Sequence, residues 1–168
     1  MPLKPGDVAP DFELYGKEAG DGPRFRLSEA LAAGGVVLQF FPLPFTGVCE
    51  SQMCAVRDGI EAYRSADVTV FGVTGHYPQL IAAWDQQVGF SVPILADYDH
   101  EVSETYVGLY EAPVLPSGLR CTSKRAVVGI SGDGIVRSVW ITENPGLAPP
   151  EEVVADAIAA ASGAGSVS

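Results

Sequence analysis

Residues 36 to 58 read Val36-Val37-Leu38-Gln39-Phe40-Phe41-Pro42-Leu43-Pro44-Phe45-Thr46-Gly47-Val48-Cys49-Glu50-Ser51-Gln52-Met53-Cys54-Ala55-Val56-Arg57-Asp58. The stretch begins as an apolar run rich in β-branched and aromatic residues, the pattern of a buried strand. Pro42, Pro44 and Thr46-Gly47 break the run into a turn. A helical pattern starts after Gly47, with Val48, Met53, Val56 and Ile60 able to share one face while Glu50 and Asp58 face water. Cys49 therefore falls where a strand has ended and a helix begins. The first turn of a helix carries unpaired N–H groups and the positive end of the dipole, and both stabilise a thiolate over a thiol. A lone buried cysteine is otherwise most simply an inert small residue. Its neighbours here argue for chemistry: Thr46 can turn its hydroxyl toward the same pocket, Pro42 and Pro44 stiffen the approach, and Phe41 and Phe45 can wall it from water.

Working outward, Phe12–Tyr15 and Arg24–Leu27 alternate around a Gly/Asp-rich stretch, which predicts an N-terminal β-hairpin with a long turn. Ser28 is expected to N-cap a short helix that Gly34-Gly35 ends. The cysteine-bearing helix is expected to run to about Arg64. Val68–Val73 then forms a second buried strand, parallel to the first through a right-handed crossover. An amphipathic helix over 77–88, a short strand at 93–96 and a short helix at 101–106 follow. Residues 111 to 122 carry Pro113, Pro116 and Gly118 and read as a loop. Arg125–Ile130 and Ile135–Ile141 flank Ser131-Gly-Asp-Gly134, the clearest hairpin of the chain. A last helix has proline in its first turn and acids near its positive end, and the tail 162–168 is expected to fray. The order predicts an α/β fold, a mixed sheet with helices on both sides, in one domain spanning 1–168.

The chain has 168 residues, 47% of them hydrophobic and 18% charged, enough for one sizeable core. Ten basic against twenty-one acidic residues give a net charge of −11. That balance disfavours nucleic acid or an anionic membrane as partner, since both require a basic face. No stretch has the length of a bilayer span and the start has no apolar signal core, so a reducing cytoplasm is the expected location. Three cysteines do not suggest a disulfide framework. With two histidines they could in principle hold zinc, but no cluster has ligand spacing, so neither metal nor cofactor is expected.

The motifs resemble those of the peroxiredoxins. Pro42-Leu-Pro-Phe-Thr46-Gly-Val-Cys49 matches their Pro-x-x-x-Thr-x-x-Cys signature, Gln52 stands where they carry an acid or amide, and Lys124-Arg125 opens a strand like their second, arginine-bearing signature. The resemblance extends from Gly6-Asp7-Val8-Ala9-Pro10-Asp11-Phe12 to the last helix, and it implies the thioredoxin-like fold. It also implies a thiol peroxidase acting on hydrogen peroxide and small organic hydroperoxides. Cys49 would attack the peroxide while Thr46, the Cys49 N–H and Arg125 hold its oxygens. Arg125 is always charged and offers donors in a fixed fork. Arg120 is a competing candidate, and Arg125 is preferred because it opens the strand at the matching offset from the Gly-Asp-Gly turn.

The resulting sulfenic acid condenses with a second thiol. The Cys-x-x-x-x-Cys spacing of Cys49 and Cys54 resembles the bacterioferritin-comigratory (Q-type) branch, in which the second cysteine resolves the first. The segment before Cys49 equally resembles one-cysteine AhpE-type members, which would use an external thiol. Cys121, in the loop before Arg125, is a rival resolver. Five residues of α-helix rise about 7.5 Å and turn the two side chains about 140° apart. That rise exceeds the roughly 7 Å Cα limit of a disulfide, so a Cys49–Cys54 bond requires the first turns to unwind. The implied partners are a peroxide, thioredoxin or a similar dithiol reductant, and a second copy in a homodimer. A peroxide sensor that relays oxidation to a partner would use the same site. A thioredoxin-type oxidoreductase needs a Cys-x-x-Cys pair, which is missing.

Overall fold

The computed structural model describes residues 2–16, 24–111, 118 and 120–163. The central apolar run forms strand β3 (Gly35–Phe40), after the hairpin strands β1 (Glu13–Tyr15) and β2 (Arg24–Arg26) and helix α1 (Leu27–Ala32). Then come α2 (Gly47–Asp58), α3 (Ile60–Ser65), β4 (Val68–Thr74), α4 (Pro78–Val88), β5 (Ile94–Ala96) and α5 (Glu101–Tyr106). β6 (Arg125–Ile130), β7 (Val136–Thr142) and α6 (Glu151–Ser162) complete the described elements.

The strands make one sheet in the order β2-β1-β5-β4-β3-β6-β7. β3, β4 and β5 are parallel, joined by crossovers through α2, α3 and α4. β6 lies antiparallel on β3, with Phe40 opposite Ala126, and β7 antiparallel on β6. β3 is thus central and wholly buried, as its largely apolar run leads one to expect. Alternation along it divides the core: Val37 and Phe41 pack with α2, α4 and α6, whereas Val36, Leu38 and Phe40 pack with α1 and α5. This is the expected α/β, thioredoxin-like architecture with its N-terminal hairpin.

Several local expectations need correction. The cysteine-bearing helix stops at Asp58, and Gly59, at φ −99° and ψ 16°, separates it from α3. Glycine has the lowest helix propensity short of proline, so the break falls there. Ser28 is not an N-cap; it lies inside α1, where its N–H and hydroxyl both donate to Asp11. Pro150 is the N-cap of α6 rather than a residue of its first turn, and Ser162 belongs to the helix rather than the tail, which Gly163 caps in the left-handed region. The long hairpin turn (17–23), most of the expected loop (112–117 and 119) and the end of the tail (164–168) lie outside the described residues. Among the described residues no helix is long and apolar enough to cross a membrane.

Candidate active site

Cys49 is the third residue of α2 and is buried, 1% exposed. The first helical hydrogen bond runs from Glu50 N to Thr46 O at 2.9 Å, so the N–H groups of Gly47, Val48 and Cys49 precede the helical ladder. Thr46 takes the extended N-cap conformation, but its hydroxyl donates to Leu43 O at 2.9 Å instead of capping the helix or meeting the sulfur. Phe45 stands in the left-handed region at φ 64°, strained for a residue with a side chain. Its half-exposed ring leans toward Trp84, while Phe41 is fully buried against the same indole.

Pro42 is held from the end of β4. Its carbonyl accepts from His76 Nε2 at 3.1 Å and from the Thr74 hydroxyl at 3.5 Å. Burial pushes the His76 imidazole below its ordinary value, with a smaller contribution in the same direction from nearby His100. Neutral His76 with its proton on Nε2 is therefore the form that braces the loop.

Arg125 begins β6, which lies next to β3, so the sheet register carries its side chain to the start of α2. It is 2% exposed. Nη1 and Nη2 each lie 3.4 Å from the Cys49 sulfur. Nη1 also donates to Gln52 Oε1 at 2.8 Å, and Nε and Nη2 donate to Pro145 O at 3.0 and 2.7 Å. The loop after β7 presents that carbonyl: Asn144 N donates to the Thr142 hydroxyl and Gly146 N to Asn144 Oδ1. The Arg125 backbone N–H donates to the Tyr110 hydroxyl, which in turn donates to Thr142 O. Burial pushes the Tyr110 phenol up, so it remains protonated. The other partners of the guanidinium, Gln52 Oε1 and Pro145 O, are uncharged.

The structure brings Cys49, Arg125 and Gln52 into contact and places Pro42 and Thr46 in the turn before them. Cys54 is on the same helix, half-buried against the core. Cys121 is exposed at φ 56°, and its N–H donates to Tyr110 O. Sequence reasoning missed Pro145, Tyr110, Gln39 and Tyr63. Only Gln39 left a signal, an amide in an otherwise apolar strand. Among the described residues no three His, Cys, Asp or Glu side chains gather as metal ligands.

A thiol at a helix start under a buried guanidinium, on this sheet, defines a thioredoxin-fold protein with a thiol-centred site. The chain belongs to the AhpC/TSA family, whose model matches residues 5–139. It is 30% identical over 105 residues to peroxiredoxin Bcp of Escherichia coli, covering 62% of this chain and 65% of that protein, just under two thirds of its length. It is 28% identical over 160 residues to alkyl hydroperoxide reductase E of Mycobacterium bovis, covering 94% of this chain and 97% of the relative. The crystal structure of peroxidoxin BcpB from Mycobacterium tuberculosis superposes with a TM-score of 0.76 at 26% identity, covering 94% of this chain and 96% of the other.

Proposed function

We propose that the protein is a thiol peroxidase in which Cys49 reduces hydrogen peroxide and small organic hydroperoxides. The observation that carries this reading is the fork of Arg125 on the Cys49 sulfur, 3.4 Å from each terminal nitrogen. The thiolate attacks the terminal oxygen of the peroxide. An S–O bond forms, the O–O bond breaks, and the electron pair leaves on the second oxygen, which takes a proton to become water or an alcohol. Charge moves from sulfur to the leaving oxygen, and Arg125 is placed to stabilise it at both ends of that path. The N–H groups at the start of α2 supply further donors, and Pro42 and Thr46 shape the turn that presents them. Thr46 can accept from a peroxide O–H while still donating to Leu43 O, and can donate to a peroxide oxygen only by rotating away from that carbonyl.

Cys49 is left as a sulfenic acid. Cys54 condenses with it, releasing water and forming an intramolecular disulfide that thioredoxin or a similar dithiol protein reduces. Both cysteines lie within the twelve residues of α2, so the part of the helix between them must unwind while α3, beyond the Gly59 break, can stay. The test is mass spectrometry after one equivalent of peroxide, with and without a thiol trap, on wild type and Cys54→Ser. A loss of two hydrogens and a Cys49–Cys54 peptide supports the two-cysteine cycle. A trapped sulfenic acid in both proteins replaces it with external resolution, and a Cys49–Cys121 peptide reassigns the resolver. An inert Cys49 sinks the peroxidase reading.

A further inference from the structure

We propose that Gln39 and Tyr63 are positioning residues for Arg125, acting through the amide of Gln52; the inference rests on the peroxidase reading of the Arg125–Cys49 contact. A guanidinium only donates hydrogen bonds. Gln52 can therefore hold Arg125 only if its oxygen, and not its nitrogen, faces Nη1. The two ends of a primary amide are nearly the same shape, so packing alone does not choose between them. Something must bind the nitrogen end.

Gln39 does so. Gln52 Nε2 donates to Gln39 Oε1 at 2.9 Å, and only at 3.4 Å to Phe40 O. With its Oε1 so engaged, Gln39 has its Nε2 left to satisfy, and this donates to the Tyr63 hydroxyl at 3.0 Å. Donation thus runs one way, from Arg125 to Gln52 to Gln39 to Tyr63. Burial pushes the Tyr63 phenol up, so it stays neutral, and a hydroxyl can accept while its own proton points elsewhere.

The chain of contacts follows from the fold. Alternation in β3 puts Gln39 on the face of Val37 and Phe41, toward α2. Gln52 lies one helical turn beyond Cys49. Tyr63 comes from α3, which leaves the line of α2 at Gly59. The three side chains are 1%, 3% and 2% exposed for Gln39, Gln52 and Tyr63. At side chains this buried, an amide turned the wrong way would set two donors against each other.

The experiment compares Tyr63→Phe with its parent in two backgrounds, wild type and Gln52→Glu. A carboxylate at position 52 has two equivalent oxygens and no wrong end; Gln39 meets it by turning its own Nε2 toward it, and the hold on Arg125 no longer depends on Tyr63. Oxidation of Cys49 by hydrogen peroxide, followed by stopped-flow tryptophan fluorescence, should slow about tenfold for Tyr63→Phe in the wild-type background. In the Gln52→Glu background the same substitution should leave the rate unchanged. An equal loss in both backgrounds, or none in the first, overturns the proposal. Should Tyr63→Phe not fold, Gln39→Met in the same two backgrounds reads the same chain. Alkylation of Cys49 by iodoacetamide separates the two ideas. If wild type ignores peroxide but alkylation shows the background-dependent loss, the peroxidase reading fails and the positioning role stands.

Discussion

Both terminal nitrogens of Arg125 lie 3.4 Å from the sulfur of Cys49, although the two residues are 76 positions apart in the chain. The same fork reaches Gln52 and Pro145, so the planar shape of the guanidinium matters as much as its charge. Arg125→Lys keeps a cation but can serve only part of this set. Its second-order rate for Cys49 oxidation by peroxide should fall by roughly 10²-fold, the usual loss when a preorganised donor leaves such a site. Stopped-flow fluorescence measures it, with far-UV circular dichroism as the check on folding. A rate within about twofold of wild type would remove Arg125 from the mechanism, since that is far below the loss expected for such a donor.

Cys49 and Cys54 cannot bond while both are helical, for the reasons of rise and direction given above. Disulfide formation should therefore leave a mark on the backbone. In hydrogen exchange, amides of residues 50–54 should lose protection when wild type is oxidised by one equivalent of peroxide. Those of α3 and β4 should keep theirs. Cys54→Ser, oxidised in the same way, should retain protection throughout α2. Unchanged exchange in oxidised wild type that nonetheless contains the bond would contradict the unwinding.

How much of this was legible depends on distance along the chain. The strand, turn and helix around Cys49 came from local pattern, and so did the β6–β7 hairpin and the parallel crossover. Arg125 was found because a motif marks it; nothing local says that it meets Cys49. The helix break at Gly59 and the bounds of α6 are local misses; the others depend on contacts outside the local pattern. Ser28 is a good N-cap residue in isolation, yet Asp11, seventeen residues away, takes both its donors. Thr46 was marked by its motif, and what the sequence did not show is that its hydroxyl donates to Leu43 O. Pro145 looks like a loop residue until the turn at Asn144 aims its carbonyl at Arg125. Gln39 was readable as an amide in an apolar strand, but its purpose depends on Gln52 and Tyr63, which periodicity does not join.

Helix α6 packs so closely on the sheet at Gly35 and Gly129 that neither position has room for a side chain. A Cβ at Gly35 would sit 2.0 Å from Ala161 O, and one at Gly129 would sit 2.7 Å from Ala157 O. In both cases the obstacle is backbone, which cannot rotate away. Gly35→Ala and Gly129→Ala should each destabilise the fold by about 1–3 kcal/mol, the cost of overpacking a tight core. Urea denaturation followed by circular dichroism measures it. Gly72→Ala is the contrast: its nearest neighbour is the tip of the Met53 side chain at 2.8 Å, which is flexible, so the loss should be smaller.

His76 couples the stability of the fold to pH. Burial lowers its folded-state pKa below the ordinary value of 6.5, against the weaker opposing effect of its hydrogen bond to Pro42 O. The unfolded chain therefore takes up the proton first as pH falls. Above the unfolded value both states are neutral and the full stability is present. As pH drops below it, the unfolded state gains a proton the folded state refuses, and stability declines until the folded imidazole titrates as well. Protonation there would also place a charge between Pro42 and His100, in the brace behind the Cys49 turn. Carboxylates titrate at lower pH in any variant, so the informative quantity is a difference. Urea midpoints at pH 7.5 and pH 5.5 should fall further for wild type than for His76→Gln, whose amide can still donate to Pro42 O but does not titrate. Equal slopes in the two proteins would mean that His76 does not report on pH in this range.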